Sequence, residues 1–431
     1  MHRRVLPPAC LLAPMLALIA ACGIDAEGDA HGDPADLAGL ATTIDSTSHP
    51  DSVFARPAGR VDSSMVRRVV EELRIAPEAD DTSLFAEVSE FDVGRDGRLF
   101  VYDRAGNVLF LFDSAGRVVR RIGRQGAGPG EFNSNNGMTV LPDGRLAQWD
   151  ARNARVSFFS ADGGFTSSWV VPSGFSTSNG LRSDDAGNVL LHRPVTAPRE
   201  GEILGRMGLV RLKDGGAIGD SLVAPDLPVE RVTYLAQAEG NSSSTSPTHS
   251  ARFLWQWHPH GYFVSANGGK YEIELSRPDS VGGPLRIVRD AAVVSVPDEE
   301  RAWDQERVTH QMRSNFPSWV WRGPAIPDMK PPVGALQVGR DGSIWVRVAT
   351  PSERIPEAEL EPQRPNASPR AIFRDPLAYE VFDTEGIFRG RVDLPPRSTW
   401  IEADGNSVWY LQRDEDGLPA VVRARVTPGM R

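Results

Sequence analysis

Phe91-Asp92-Val93-Gly94-Arg95-Asp96-Gly97-Arg98-Leu99-Phe100-Val101-Tyr102-Asp103 returns about 45 residues later as Met138-Thr139-Val140-Leu141-Pro142-Asp143-Gly144-Arg145-Leu146-Ala147-Gln148-Trp149-Asp150. Both read as an apolar stretch, an Asp-Gly turn and a second apolar stretch. A tight turn between strands needs positive φ, which Gly adopts without a steric cost. Weaker copies surround Gly187, Gly261, Gly342 and Gly405, which makes six. A second turn signal follows most copies, at Gly116, Gly163, Gly215, Gly386 and Gly417, with Pro278-Asp279-Ser280 in its place in the fourth. Each repeat therefore holds two hairpins, or four short strands. Six such units predict an all-β fold, a six-bladed β-propeller of four-stranded blades.

Composition agrees. The 431 residues include 41 Gly and 34 Pro, so turns are plentiful. Lys and Arg number 47 against 57 Asp and Glu, and no basic stretch stands out, which excludes nucleic acid as the expected partner. Two Cys exclude a disulfide framework and a Cys-based zinc site.

A propeller closes when its two chain ends share a blade. Val66, Val69, Val70, Leu73 and Ile75 precede the first repeat, and the last repeat ends after an apparent third strand, Ala420 to Val426. The early segment is the expected fourth strand. A helix over Met65 to Leu73 is the competing reading.

The first residues read as an address. Arg3 and Arg4 precede an apolar run, Ala9 to Ala21, that is too short for a membrane anchor and suits a secretory signal. Its end, Ile19-Ala20-Ala21-Cys22-Gly23, resembles the bacterial lipobox. That resemblance implies a signal peptide over 1–21, lipidation of Cys22 and anchorage in the cell envelope. Gly23 after the Cys favours the outer membrane, facing the periplasm or the surface. Residues 22–60 are rich in Asp, Ala, Gly, Ser and Thr and read as a flexible tether. The propeller occupies 61–431.

Ile122-Gly123-Arg124-Gln125-Gly126-Ala127-Gly128-Pro129-Gly130-Glu131-Phe132 resembles the blade junction of NHL-type six-bladed propellers, whose later polar positions align with Asp150, Asn153 and Arg155. The resemblance covers Val88 to Phe175, and the later repeats match in rhythm. The whole is similar to bacterial lipoproteins with a six-bladed propeller domain.

Two features break the rhythm. Glu239 to Thr248 reads as a polar loop. Pro297 to Val333, between the fourth and fifth repeats, contains an expected helix from Asp298 to Met312, with Asp298 as N-cap and Ala302, Val308 and Met312 as its apolar stripe. Trp303, His310, Trp319 and Trp321, with Arg307, Arg313 and Phe316, form an expected lid over the channel mouth; the plain alternative is that the aromatics bury the insertion against the blades. Pro351 to Pro376 reads as an outer loop.

Loops between second and third strands share that face. They offer Arg104 and Asn107, Arg152 and Asn153, His192 and Arg193, and Arg347 as candidates for holding a carboxylate, phosphate or sugar acid. Asp103 and Asp150 on the same loops read as local turn caps. Under the family resemblance, a central calcium would draw on Glu90, Asn135, Asn136 and Asn179, and a zinc on His192 and His310, while His258 and His260 belong to an inner turn on the opposite face. No hydrolase elbow, P-loop or dinucleotide fingerprint is present. The expected function is a lipid-anchored scaffold for a small ligand or an envelope protein, with no cofactor. The alternative is a calcium- or zinc-dependent hydrolase or lyase, lactonase-like or amidating-lyase-like, working in the central channel.

Overall fold

The computed structural model describes residues 65–77, 84–171, 180–198, 205–238, 241–278, 283–415 and 417–428, all within the unit Leu40–Arg431. The signal sequence, Cys22, the tether, Asn179, and the Asp279-Ser280 turn lie outside them.

Six four-stranded antiparallel blades follow in chain order. Blade 1 is Val88–Val93, Leu99–Asp103, Val108–Phe112 and Val118–Ile122. Blade 2 is Met138–Val140, Leu146–Asp150, Arg155–Phe159 and Phe165–Val170. Blade 3 is Leu181–Ser183, Val189–Pro194, Met207–Leu212 and Ile218–Val223. Blade 4 is Phe253–His258, Tyr262–Asn267, Glu272–Leu275 and Leu285–Val288. Blade 5 is Val333–Val338, Ile344–Val348, Leu377–Phe382 and Phe388–Leu394. Blade 6 is Ser398–Asp404, Ser407–Arg413, Pro419–Pro428 and Val66–Ile75.

The turns explain the repeat. Gly97 has φ 78°, Gly144 has φ 84°, and the glycines of the weaker copies are also positive. In the first turn the Gly94 amide donates to the Arg98 carbonyl at 2.8 Å, and the second turn repeats this from Leu141 to Arg145 at 2.7 Å. The two middle strands of blade 1 are buried on both faces, so they read as unbroken apolar runs, whereas the outermost strand is mostly exposed. An apolar cluster fills each blade interface. Phe100, Tyr102, Leu109 and Leu111 of blade 1, for example, meet Met138, Val140, Leu146 and Phe159 of blade 2 around Phe132. Each such side chain contributes about 1.5–3 kcal/mol by leaving water.

Ring closure is strand-made. Val66–Ile75 pairs antiparallel with Pro419–Pro428, from Arg67 opposite Pro428 to Ile75 opposite Val421. This overturns the helix alternative for Met65 to Leu73: the spacing of the apolar residues is helix-like, but the open edge of Pro419–Pro428 supplies a ladder of backbone partners, and a bulge between Glu71 and Leu73 lets Val69, Leu73 and Ile75 all pack inward. Val66 and Arg67 also pair in parallel with Arg391 and Val392 of blade 5. Ile75, Trp409 and Val421 then join the blade 1 side chains Val88, Phe91 and Val93 in one cluster, which closes the ring.

Three elements are added to the blades. Tyr234–Ala238 and Asn241–Thr245 form a hairpin, so the polar segment is half strand rather than loop. Helix α1 spans Asp298–Asn315. Pro297, not Asp298, is its cap residue; Asp298 is already helical and pairs with Arg301. Its buried face is Glu300, Asp304, Val308 and Met312, while Ala302 is exposed. Glu353–Arg354 and Phe373–Arg374 form a short ribbon inside the blade 5 insertion. No helix among the described residues is long and apolar enough to cross a membrane.

Candidate functional site

Because neighbouring strands alternate in direction, the innermost strands run from the face of the blade junctions to the face of the Asp-Gly turns. Together they wall a central channel of about 410 Å³. Period-two alternation sends one set of side chains into the blade interfaces and the other toward the axis. In blade 1, Phe91 and Val93 enter the core, whereas Glu90 and Asp92 line the channel.

The channel charges form two groups. Near the turn face, Arg340 of blade 5 donates from Nη2 to Asp92 Oδ1 at 2.8 Å and lies 3.9 Å from Glu402 Oε2 of blade 6. Asp92 Oδ2 also accepts the Val140 amide at 2.6 Å, so this group links four blades. One guanidinium faces two carboxylates. Burial and the nearby Asp92 push Glu402 upward against the pull of Arg340. Arg340 is itself held above its ordinary value: burial opposes its charge, and Asp92 and Glu402 outweigh burial.

The second group lies further along the axis. Glu90 accepts hydrogen bonds from Asn135 Nδ2 at 2.7 Å and from the Met138 amide at 3.4 Å. Burial pushes its pKa up to about 7, with Arg182 opposing. Arg182 lines the channel from blade 3, and its Nη1 donates to the Leu181 carbonyl at 3.0 Å. No carboxylate lies within ion-pair distance of it among the described residues. Thr139, Ser183, Gln256 and Gln337 supply neutral polar groups on the same wall.

The anticipated loop residues lie elsewhere. Arg104 pairs with Glu87 at the surface. Asn107 Oδ1 accepts the Tyr102 hydroxyl at 3.0 Å. The Arg152 side chain is exposed, and Asn153 Nδ2 donates to Asp150 at 2.8 Å and to the Gly126 carbonyl at 3.0 Å. The His192 ring meets Trp255 edge-on, and burial, then Arg182, lowers its pKa. Arg193 and Arg347 sit on second strands opposite Gly208 and Ala335. None of these residues lines the central channel.

The residues expected to form a lid are packed among the added elements. Trp319, with Phe316 and Trp321, packs on Tyr234 and Ala236 of the added hairpin and on Val308 and Met312 of α1. Trp303 Nε1 donates to the Arg370 carbonyl at 2.7 Å, and His310 Nε2 to that of Asn366 at 3.2 Å. The aromatics Phe316, Trp319 and Trp321 pack on the added hairpin and α1, not on the blades against which the plain alternative set them.

Asp103 and Asp150 do cap local structure. Asp103 accepts the amides of Glu87 at 2.7 Å and Gly106 at 2.9 Å; Asp150 accepts those of Asn133 at 2.7 Å and Asn153 at 3.0 Å. Each carboxylate braces the segment entering its own blade. His258 and His260 occupy an inner turn on the far face, as expected.

The oxygens expected for calcium are mostly spent. Asn135 Oδ1 accepts from Gln148 Nε2 at 3.2 Å, and Asn136 Oδ1 accepts from Ser134 Oγ at 2.7 Å and the Ala151 amide at 3.1 Å. Among the described residues no His lines the channel, and Asn179 lies outside them. Arg182, Arg340, Asp92 and Glu402 were missed because in sequence they look like ordinary polar alternation. The signal available was a charge on an innermost strand or its turn, close to a repeat glycine.

Residues 69–175 match the family model DUF5128, described as a 6-bladed beta-propeller. These residues cover blades 1 and 2, where the repeat is cleanest. No curated protein sequence matches the chain. Among solved structures, the chain is similar to a member of the DUF4221 family from Bacteroides vulgatus, at 11% identity and TM-score 0.47, over 85% of this chain and 100% of that one. It is also similar to a gluconolactonase of Xanthomonas campestris, at 14% and 0.36, over 83% and 97%. A virginiamycin B lyase from Staphylococcus aureus aligns at 10% and 0.37, over 82% and 99%. Likenesses at this level carry no argument about activity.

Proposed function

We propose that this chain is a lipid-anchored propeller of the bacterial envelope whose central channel binds a small anionic ligand. Arg182 carries the reading. A guanidinium lining the channel, with no carboxylate within ion-pair distance among the described residues, is suited to a carboxylate, phosphate or sugar acid. Glu90, neutral below about pH 7, offers a hydroxyl donor on the same wall. Thr139, Gln256 and Gln337 suit the hydroxyl groups of such a ligand. The lipobox-like Ala20-Ala21-Cys22 and the tether support the address. The test is a thermal-shift panel on the full chain with glucuronate, galacturonate, citrate and inorganic phosphate, against neutral glucose. A saturable rise in Tm with an anion supports the reading; no response to any of them opposes it.

A second reading rests on Glu90. A carboxyl titrating near neutrality beside a guanidinium is placed for proton transfer, which suits a hydrolase or lyase. Turnover of a ligand identified by the panel, lost in Glu90→Gln with binding retained, would favour it.

A further inference from the structure

A separate polar cluster lies away from the channel, where the added elements meet. His249 comes from the segment leading into blade 4, Glu300 from the first turn of α1, and Asp375 from the blade 5 insertion. His249 Nε2 lies 2.8 Å from Glu300 Oε1, and His249 Nδ1 lies 4.0 Å from Asp375 Oδ2. One ligand atom from each of the three falls within 4.8 Å of the other two.

The other carboxylate oxygens are already engaged. Ser352 Oγ donates to Glu300 Oε2 at 2.5 Å. Lys330 Nζ donates to Asp375 Oδ1 at 2.5 Å, to Ser352 Oγ at 2.7 Å and to the Thr350 carbonyl at 2.8 Å. Each carboxylate thus gives one oxygen to the Lys330–Ser352 pair and turns the other toward the imidazole. A metal centre has the same division of labour, with outer groups fixing the orientation of the ligands. Lys330 offsets one of the two negative charges, and the second remains for a cation.

The cluster also has an approach from solvent. Asp375 lines a cleft of about 870 Å³ under the blade 5 insertion, walled further by Glu359, Arg374 and Arg397. His249 and Asp375 keep 13% and 18% of their side-chain surface, whereas Glu300 keeps 4%. Bonds of about 2.0–2.2 Å in tetrahedral geometry place ligand atoms roughly 3.4 Å apart. Glu300 faces Nε2 and Asp375 faces Nδ1, so reaching that spacing around one ion requires the Nε2–Glu300 pair to open and Asp375 or the imidazole to turn.

We propose that His249, Glu300 and Asp375, each through one ligand atom, form a binding site for a divalent transition metal of the zinc class, with its remaining position open to the cleft. The site ties three insertions to one point and is independent of the channel. The nitrogen and oxygen donor set suits zinc and cobalt better than calcium, which takes oxygens only.

The test uses the full chain, stripped with chelator and titrated with Zn²⁺ by calorimetry and with Co²⁺ by visible absorption. The expected result is one ion per chain, with Co²⁺ bands of four- or five-coordinate intensity. His249→Ala and Asp375→Asn should each weaken binding at least 100-fold, and Ser352→Ala about tenfold. Arg182→Ala should leave it unchanged. If His249→Ala does not fold, Asp375→Asn, at the cleft wall, gives the same reading. Failure to take up either metal, or uptake that survives both His249→Ala and Asp375→Asn, would overturn the site.

Discussion

His258 is fully buried in the inner turn of blade 4, and its two ring nitrogens have fixed roles. Nε2–H donates to the Gly342 carbonyl at 3.1 Å, and Nδ1 accepts the His260 amide at 3.1 Å. The ring stacks on Tyr262 at 4.1 Å. Only the neutral ring fits both bonds, and burial holds its pKa at about 4. Between pH 6.5 and 4 the unfolded chain binds a proton that the folded one refuses, so stability falls as pH falls through that window. Glu90 acts with the opposite slope. Its folded pKa of about 7 lies above the ordinary 4.5, so the folded chain keeps a proton the unfolded one has released, and stability falls as pH rises from 4.5 to 7. Chemical denaturation across pH 4–8 separates the two effects. Glu90→Gln should exceed the wild type at pH 8 by about 3 kcal/mol and nearly match it near pH 4.5. His258→Gln should flatten the acid limb below pH 6.5. Unchanged pH profiles in these variants would contradict the assignments.

At the scale of elements, the junction between blades 1 and 2 shows why the glycine-rich loop has its composition. Gly123 has φ 77°, and a Cβ there would lie 2.3 Å from Phe132 Cε2 and 2.6 Å from the Gly130 carbonyl oxygen. Phe132 is fully buried in the blade interface and has no room to retreat. Glu131 closes the loop by accepting the Gly128 amide at 2.8 Å and pairing with Arg124 at 2.7 Å. Arg155 reaches back to the carbonyls of Ala127, Gly128 and Glu131 at 2.7–2.8 Å. Gly123→Ala should therefore cost about 2–4 kcal/mol in urea unfolding; a loss under about 0.5 kcal/mol would show that the loop adapts. These features were legible in the sequence because turn chemistry is local. Glycine positions and hairpin spacing depend on nearby residues, and the closing strand shows because the last repeat lacks a fourth strand that the early apolar segment can supply. The fate of the Trp-rich insertion was not legible, because its partner, the Tyr234–Thr245 hairpin, lies far away in the chain and reads as polar loop in its second half. The channel charges were equally hidden. Arg182, Arg340 and Asp92 come from three blades, and only ring closure brings their innermost strands around one axis.

For the whole molecule, the six blade interfaces and the shared closing strand make a closed ring around one channel, and the added elements gather in the chain after blade 3. The anchorage reading belongs to this scale. Cys22→Ser should move the protein from the membrane fraction to the soluble fraction of envelope preparations, with the propeller's Tm unchanged; retention in the membrane would contradict lipidation at Cys22. The proposed ligand site is the channel. Its most direct test is calorimetric titration of the full chain with the anion selected by the thermal-shift panel, comparing Arg182→Ala with Arg152→Ala and Arg193→Ala. Loss of the charge-assisted bonds of Arg182, about 1.5–3 kcal/mol, predicts affinity lower by about 10–100-fold in Arg182→Ala and nearly unchanged in the two loop variants. Binding indifferent to Arg182, or abolished by Arg152→Ala or Arg193→Ala, would place the ligand on the loop face and contradict the account.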